Sequence, residues 1–113
     1  MKKMWMIAFA AALPLVAARA EVDKKAERLF KAKCASCHGT DGKGQTDQGK
    51  KMAISDLSAP DFQKAKTDDQ IKASIANGVK KEKNGKKQEM DPFSEKLEAA
   101  QIESLVAYIR NLK

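Results

Sequence analysis

The chain has 113 residues and a formal net charge of +7, from 22 Lys+Arg against 15 Asp+Glu. That length holds one small domain and excludes a second independent core. Charged residues make up 33% and aromatics 5%, which excludes an aromatic-rich core, while two cysteines and one histidine exclude a dense disulfide framework and leave a four-ligand zinc site in need of a carboxylate.

Lys2 and Lys3 precede an apolar run from Met4 to Ala18, broken only by Pro14, and Ala18-Arg19-Ala20 closes it. Basic, apolar and small-residue regions in that order form a secretory leader, with the cut expected after Ala20. The run falls short of the ~20 residues of a spanning helix, so a cleaved leader is read in preference to an anchor. Residues 1–20 are therefore expected to be a signal peptide and residues 21–113 the domain, located in the periplasm without stable membrane insertion. The only tryptophan, Trp5, belongs to the leader. What remains is lean in apolar side chains for a chain of its size, which implies that something besides side chains fills the interior.

Asp23 is placed to cap a helix carrying Val22, Ala26, Leu29 and Phe30 at helical spacing up to Cys34. Four glycines among polar residues from Gly39 to Gly49 read as loop. Met52 to Leu57 is a short, weakly apolar piece, and Ala59-Pro60 marks a turn or a helix start. Thr67-Asp68-Asp69-Gln70 has the form of a capping box, followed by an apolar stripe of Ile71, Ile75 and Val79 and by Gly78 near the helix end. Lys80 to Lys87 reads as a basic loop containing Asn84-Gly85. A last helix begins near Glu98, a poor cap, and carries Ile102, Leu105, Val106, Ile109 and Leu112 on one face. No β-alternation stands out, so the expected fold is all-α with three to five helices.

Cys34-Ala35-Ser36-Cys37-His38 is C-x-x-C-H, the attachment signature of c-type haem. Cysteines three apart lie about one helical turn from each other, so their sulfurs can add to two vinyl groups along one side of a porphyrin. The adjacent His38 then offers its imidazole to the iron. The iron's sixth position needs a donor, and Met90, in Met90-Asp91-Pro92-Phe93 just before the last helix, is expected to supply a thioether. Met52 is read as adaptable core filler. A C-x-x-C redox disulfide belongs in a βαβ setting that this pattern lacks.

Taken together, Leu29-Phe30 before Cys34-Ala35-Ser36-Cys37-His38-Gly39, Asp41-Gly42-Lys43-Gly44 after it, Met90-Asp91-Pro92-Phe93 and Leu105-Val106-Ala107-Tyr108-Ile109 resemble a class I monohaem cytochrome c. The type is the small bacterial one, similar to the cytochrome c domains of haem-copper oxidases. The resemblance implies a few helices wrapped around one covalently attached haem c, held by Cys34, Cys37, His38 and Met90, with His38 and Met90 on the metal. It also implies that Ala26 and Phe30 meet Leu105 and Tyr108 where the terminal helices cross. Three features depart from the family, one of them a Lys80–Glu89 stretch longer than in its shortest members. The first proline after His38 is Pro60, which leaves the imidazole's usual carbonyl acceptor unidentified, and the domain has no tryptophan.

These residues point to an electron-transfer protein rather than an enzyme, working between respiratory or other redox proteins. Phe30, Leu57, Ile71, Ile75, Val79, Phe93, Leu97 and Leu105 are expected around the haem. The lysines from Lys80 to Lys87 suggest docking onto acidic redox partners, against a plain solvated loop. An exported, aromatic-poor chain is a poor nucleic-acid binder. The rival readings are a haem enzyme or ligand sensor with an open distal site, and a thiol–disulfide oxidoreductase using Cys34 and Cys37.

Overall fold

A computed structural model describes residues 15–113, with side chains from Lys24 onward. Most of the expected leader lies outside the described residues, and the boundary expected after Ala20 falls within the first helix. Among the described residues, six helices and one two-stranded sheet follow in the order α1 (Leu15–Lys33), α2 (Ala35–His38), α3 (Asp47–Lys51), α4 (Pro60–Ala65), α5 (Asp68–Asn77), β1 (Val79–Lys83), β2 (Lys86–Met90) and α6 (Ala99–Arg110). Among the described residues no helix is long and apolar enough to cross a membrane.

The core forms where α1 and α5 pack on α6. Ala26 and Phe30, one turn apart on α1, are 3% and 1% exposed, and Leu105 on α6 is 1% exposed. The Phe30 and Tyr108 rings meet with centroids 5.1 Å apart, so the expected crossing of the terminal helices is present. Asp23 does not start a helix here: α1 runs through it, because the preceding residues continue the turn and leave no N-terminus there to cap.

The capping box at α5 forms as the sequence indicates. Thr67 Oγ1 accepts the Gln70 N–H at 3.1 Å, and the Thr67 N–H donates to Gln70 Oε1 at 2.9 Å. At α6 the Gln101 side chain accepts the Glu98 N–H at 2.8 Å, so a residue one turn inward offsets a poor cap. Pro60 resolves as a helix start, at the first turn of α4. The glycine-rich loop is shorter than expected, because Thr46 Oγ1 accepts the Gly49 N–H at 2.9 Å and begins α3 inside it.

The Lys80–Lys87 stretch is a hairpin, not an irregular loop. Its strands are antiparallel, with Val79 opposite Met90, Lys81 opposite Gln88 and Lys83 opposite Lys86. Asn84 and Gly85 make the turn at φ 52° and 75°, the two left-handed positions of a type I′ turn. Asn-Gly was the relevant signal. Apolar alternation is missing because neither face of this hairpin is buried in a core.

Candidate functional site

Helix α1 delivers the Cys34–His38 segment directly. Cys34 N–H donates to Phe30 O at 2.8 Å, continuing the helical ladder, and His38 N–H donates to Cys34 O at 2.9 Å, closing α2. Gly39, at φ 80°, then turns the chain away. The loop that follows folds back onto this turn: Gly44 N–H donates to His38 O at 2.7 Å and Thr46 Oγ1 donates to Cys37 O at 2.7 Å. Gly49 lies so close to the Gly44 and Cys37 carbonyls that no side chain fits there. The attachment segment is thus held from inside by the core and from outside by backbone.

Cys34, Cys37, His38 and Met90 all line one cavity of about 450 Å³. The first three come from one end of the fold, whereas Met90 ends β2, so the chain closes around the cavity from two directions. Phe30, Leu57, Ile71 and Ile75 supply apolar lining, with Val79, Phe93 and Leu105. Leu97 does not reach the cavity; it is buried in the packed core instead, where the turn begun at Phe93 carries it.

Met90 is suspended between the hairpin and α5. Beyond it, Phe93 N–H donates to Ile75 O at 2.9 Å and Ser94 N–H to Ala76 O at 3.1 Å, which fastens the Met90–Ser94 segment across the end of α5. Gly78 makes room for that crossing. It adopts φ 78°, and a Cβ there would lie 2.5 Å from Met90 O and 3.0 Å from Pro92 N.

Met52, read as core filler, stands on the cavity wall as well, with its Sδ accepting the Glu89 N–H at 3.5 Å. Its distance along the chain from both Cys37 and Met90 gave no hint of this. The exposed Lys33, Lys66 and Lys81 also border the cavity, a role nothing in their spacing marks.

Both cysteines are free thiols and half-buried. Burial, then the neighbouring Cys37, pushes the Cys34 thiol up to about 11. A thiol so reluctant to ionise is the opposite of a redox-active C-x-x-C nucleophile, which argues against the oxidoreductase reading. Burial pushes the His38 imidazole below its ordinary value, keeping it neutral. Its Nδ1 is buried without a hydrogen-bond partner among the described residues, consistent with the absence of a nearby proline. Among the described residues no three His, Cys, Asp or Glu side chains gather as a metal-ion site, so a zinc centre has no geometric support. Two half-buried thiols one turn apart, an imidazole kept neutral by burial and a thioether around an apolar cavity instead fit a flat, apolar, metal-bearing macrocycle.

The family model described as cytochrome c matches residues 24–113. Among solved structures, the KustC0563 c-type cytochrome is similar at 28% identity and TM-score 0.66, over 78% of this chain and 96% of that one. A Tyr-to-Phe mutant of Kustc0563 gives 30% identity and TM-score 0.64, over 78% of this chain and 98% of that one. No curated protein matches the chain significantly.

Proposed function

The chain belongs to the cytochrome c family, as a class I monohaem cytochrome c, and from that premise we propose that Cys34 and Cys37 hold one haem c through two thioethers, that His38 and Met90 are its axial ligands, and that the protein is a periplasmic one-electron carrier. Family membership itself implies electron transfer on covalently bound c-type haem. When bound, the haem supplies an iron centre that changes oxidation state by one electron.

The chain's own residues do the rest. Cys34 and Cys37 stand one helical turn apart, the separation that two vinyl groups on one porphyrin edge require. His38, kept neutral by burial, has a nitrogen lone pair to offer a metal. Met90 offers an uncharged thioether, which favours the ferrous state. Phe30, Ile71, Ile75 and Leu105 exclude water and pack rigidly, so little has to rearrange when charge changes. If His38 and Met90 both hold the metal, no place for substrate would remain there, and the carrier reading would follow rather than that of an enzyme or ligand sensor.

The observation that carries this reading is that Cys34, Cys37, His38 and Met90, from two distant parts of the sequence, line one apolar cavity. The test is an absorption spectrum of the exported protein, oxidised and reduced, with mass analysis of the peptide containing Cys34 and Cys37. A low-spin spectrum with a sulfur-to-iron charge-transfer band and the mass of one added haem is expected. A colourless product with unmodified thiols would refute it. The basic, apolar and small-residue order of residues 1–20 supports export, and N-terminal sequencing should begin at Glu21.

The partners proposed are redox proteins with acidic docking surfaces. The hairpin refines this. Lys80 lies opposite Glu89 and Lys87 opposite Glu82, so these pairs are charge-matched, while Lys81, Lys83 and Lys86 have no acidic cross-strand partner. The unmatched lysines lie on the side of the hairpin toward the cavity and the 50–55 segment. Electron-transfer rates with an acidic partner should fall steeply as salt rises; a flat dependence would remove the docking role.

A further inference from the structure

The wall that carries Met90 is tied to the body of the protein by side chains of the hairpin. In β2, Lys86, Gln88 and Met90 alternate onto one face. Lys86 Nζ donates to Lys50 O at 3.2 Å. Gln88 Nε2 donates to Met52 O at 2.9 Å and to Ala53 O at 3.0 Å. From β1, Lys83 Nζ meets Ser55 Oγ at 3.2 Å.

These ties are not equivalent. The lysine contacts are exposed and sit at the ends of long, flexible chains that water serves equally well. The Gln88 contacts are part-buried, and they use both donors of one amide on two consecutive carbonyls. Those carbonyls converge because Ala53 adopts φ 51°, a left-handed conformation that is costly for a residue with a side chain. On its other side Met90 is anchored by backbone, through Phe93 N–H and Ile75 O. Beyond its ladder to β1, the strand is therefore held by a backbone anchor on one side and, as its one part-buried side-chain tie to the 50–55 segment, by the Gln88 amide on the other.

We propose that Gln88 is a positioning residue, whose amide, clamped on the Met52 and Ala53 carbonyls, holds the strand ending in Met90 against the cavity and sets how readily an outside ligand displaces its thioether. The inference rests on Met90 being the axial ligand. The same clamp accounts for Met52. Its carbonyl is held by Gln88 and its Sδ accepts the Glu89 N–H, so this second thioether is engaged as wall while Met90 is left to serve the metal.

The test uses the holoprotein. Gln88→Leu removes the amide at similar size, and Gln88→Asn keeps it but shortens its reach by one methylene. Gln63→Leu is the comparator: Gln63 also spans two carbonyls, Leu57 O at 2.7 Å and Ile109 O at 3.0 Å, but it fastens α4 to α6. The readouts are the sulfur-to-iron charge-transfer band and the rate at which imidazole binds the oxidised protein.

In Gln88→Leu the imidazole rate should rise about tenfold, equivalent to ~1.4 kcal/mol of opening free energy, with the band weakened. Gln88→Asn should move the same way, and it decides the matter if the leucine variant does not accumulate. Gln63→Leu should lower Tm while its imidazole rate stays near wild type. Unchanged rates in the Gln88 variants, or an equal rise in Gln63→Leu, would overturn the clamp. Met90→Ala, run in parallel, separates the two claims. A band lost there but intact in the Gln88 variants refutes the clamp alone. A band that survives in Met90→Ala refutes the ligand assignment, and the clamp with it.

Discussion

The histidine side and the methionine side of the cavity are built from different interactions. Cys34, Cys37 and His38 sit on the continuation of a helix whose buried face includes Phe30, 1% exposed and in ring contact with Tyr108. Met90 ends a hairpin that is exposed everywhere except at Val79, Gln88 and Met90 itself. Core burial of one large side chain is worth several kcal/mol and is lost only with the fold. A part-buried hydrogen bond is worth about 1 kcal/mol and can be lost on its own. The histidine side is thereby coupled to global stability, and the methionine side is the one that can open locally.

The largest effect that would break this contrast is expected from Cys34→Ala/Cys37→Ala. Without covalent haem the thin core leaves the chain largely unstructured, seen as loss of helical circular dichroism. A variant that kept native helicity would mean that the histidine side needs no haem to form. Next in size, Phe30→Ala should cost about 3–5 kcal/mol in denaturant unfolding, because it empties the helix crossing. Met90→Ala should cost less, about 1–2 kcal/mol, while it lowers the reduction potential and lets carbon monoxide bind the reduced protein promptly. If its stability loss matched that of Phe30→Ala, the two sides would not differ as described. The smallest effect is expected at the hairpin tip. A methyl added at Gly85 meets nothing within 4 Å, so Gly85→Ala acts only through φ 75° and should cost about 1 kcal/mol, with no change in potential.

The histidine side was far more legible in the sequence than the methionine side. Ala26, Phe30, Leu105 and Tyr108 repeat at helical spacing, and Cys34, Cys37 and His38 are contiguous, so periodicity and motif carried the information. The Thr67 capping box was equally local. The hairpin escaped because lysines fall on both of its faces, and a strand without a buried face leaves no period-2 pattern to find. Met52 and Gln88 escaped for a related reason: their roles depend on Ala53 turning left-handed, and nothing in an alanine announces that. The α6 start at Glu98 was legible too, while its completion by Gln101, which accepts the Glu98 N–H, was not.

Gly78 carries one more consequence. A single added methyl there would push against Met90 O and Pro92 N, so the segment holding the thioether could not cross α5 at its present height. The chain's room for added atoms is accordingly uneven: a methyl at Gly85, on the hairpin tip, meets nothing, whereas position 78 tolerates no side chain at all. The reach of the sulfur at residue 90 is dictated by an atom that residue 78 does not have.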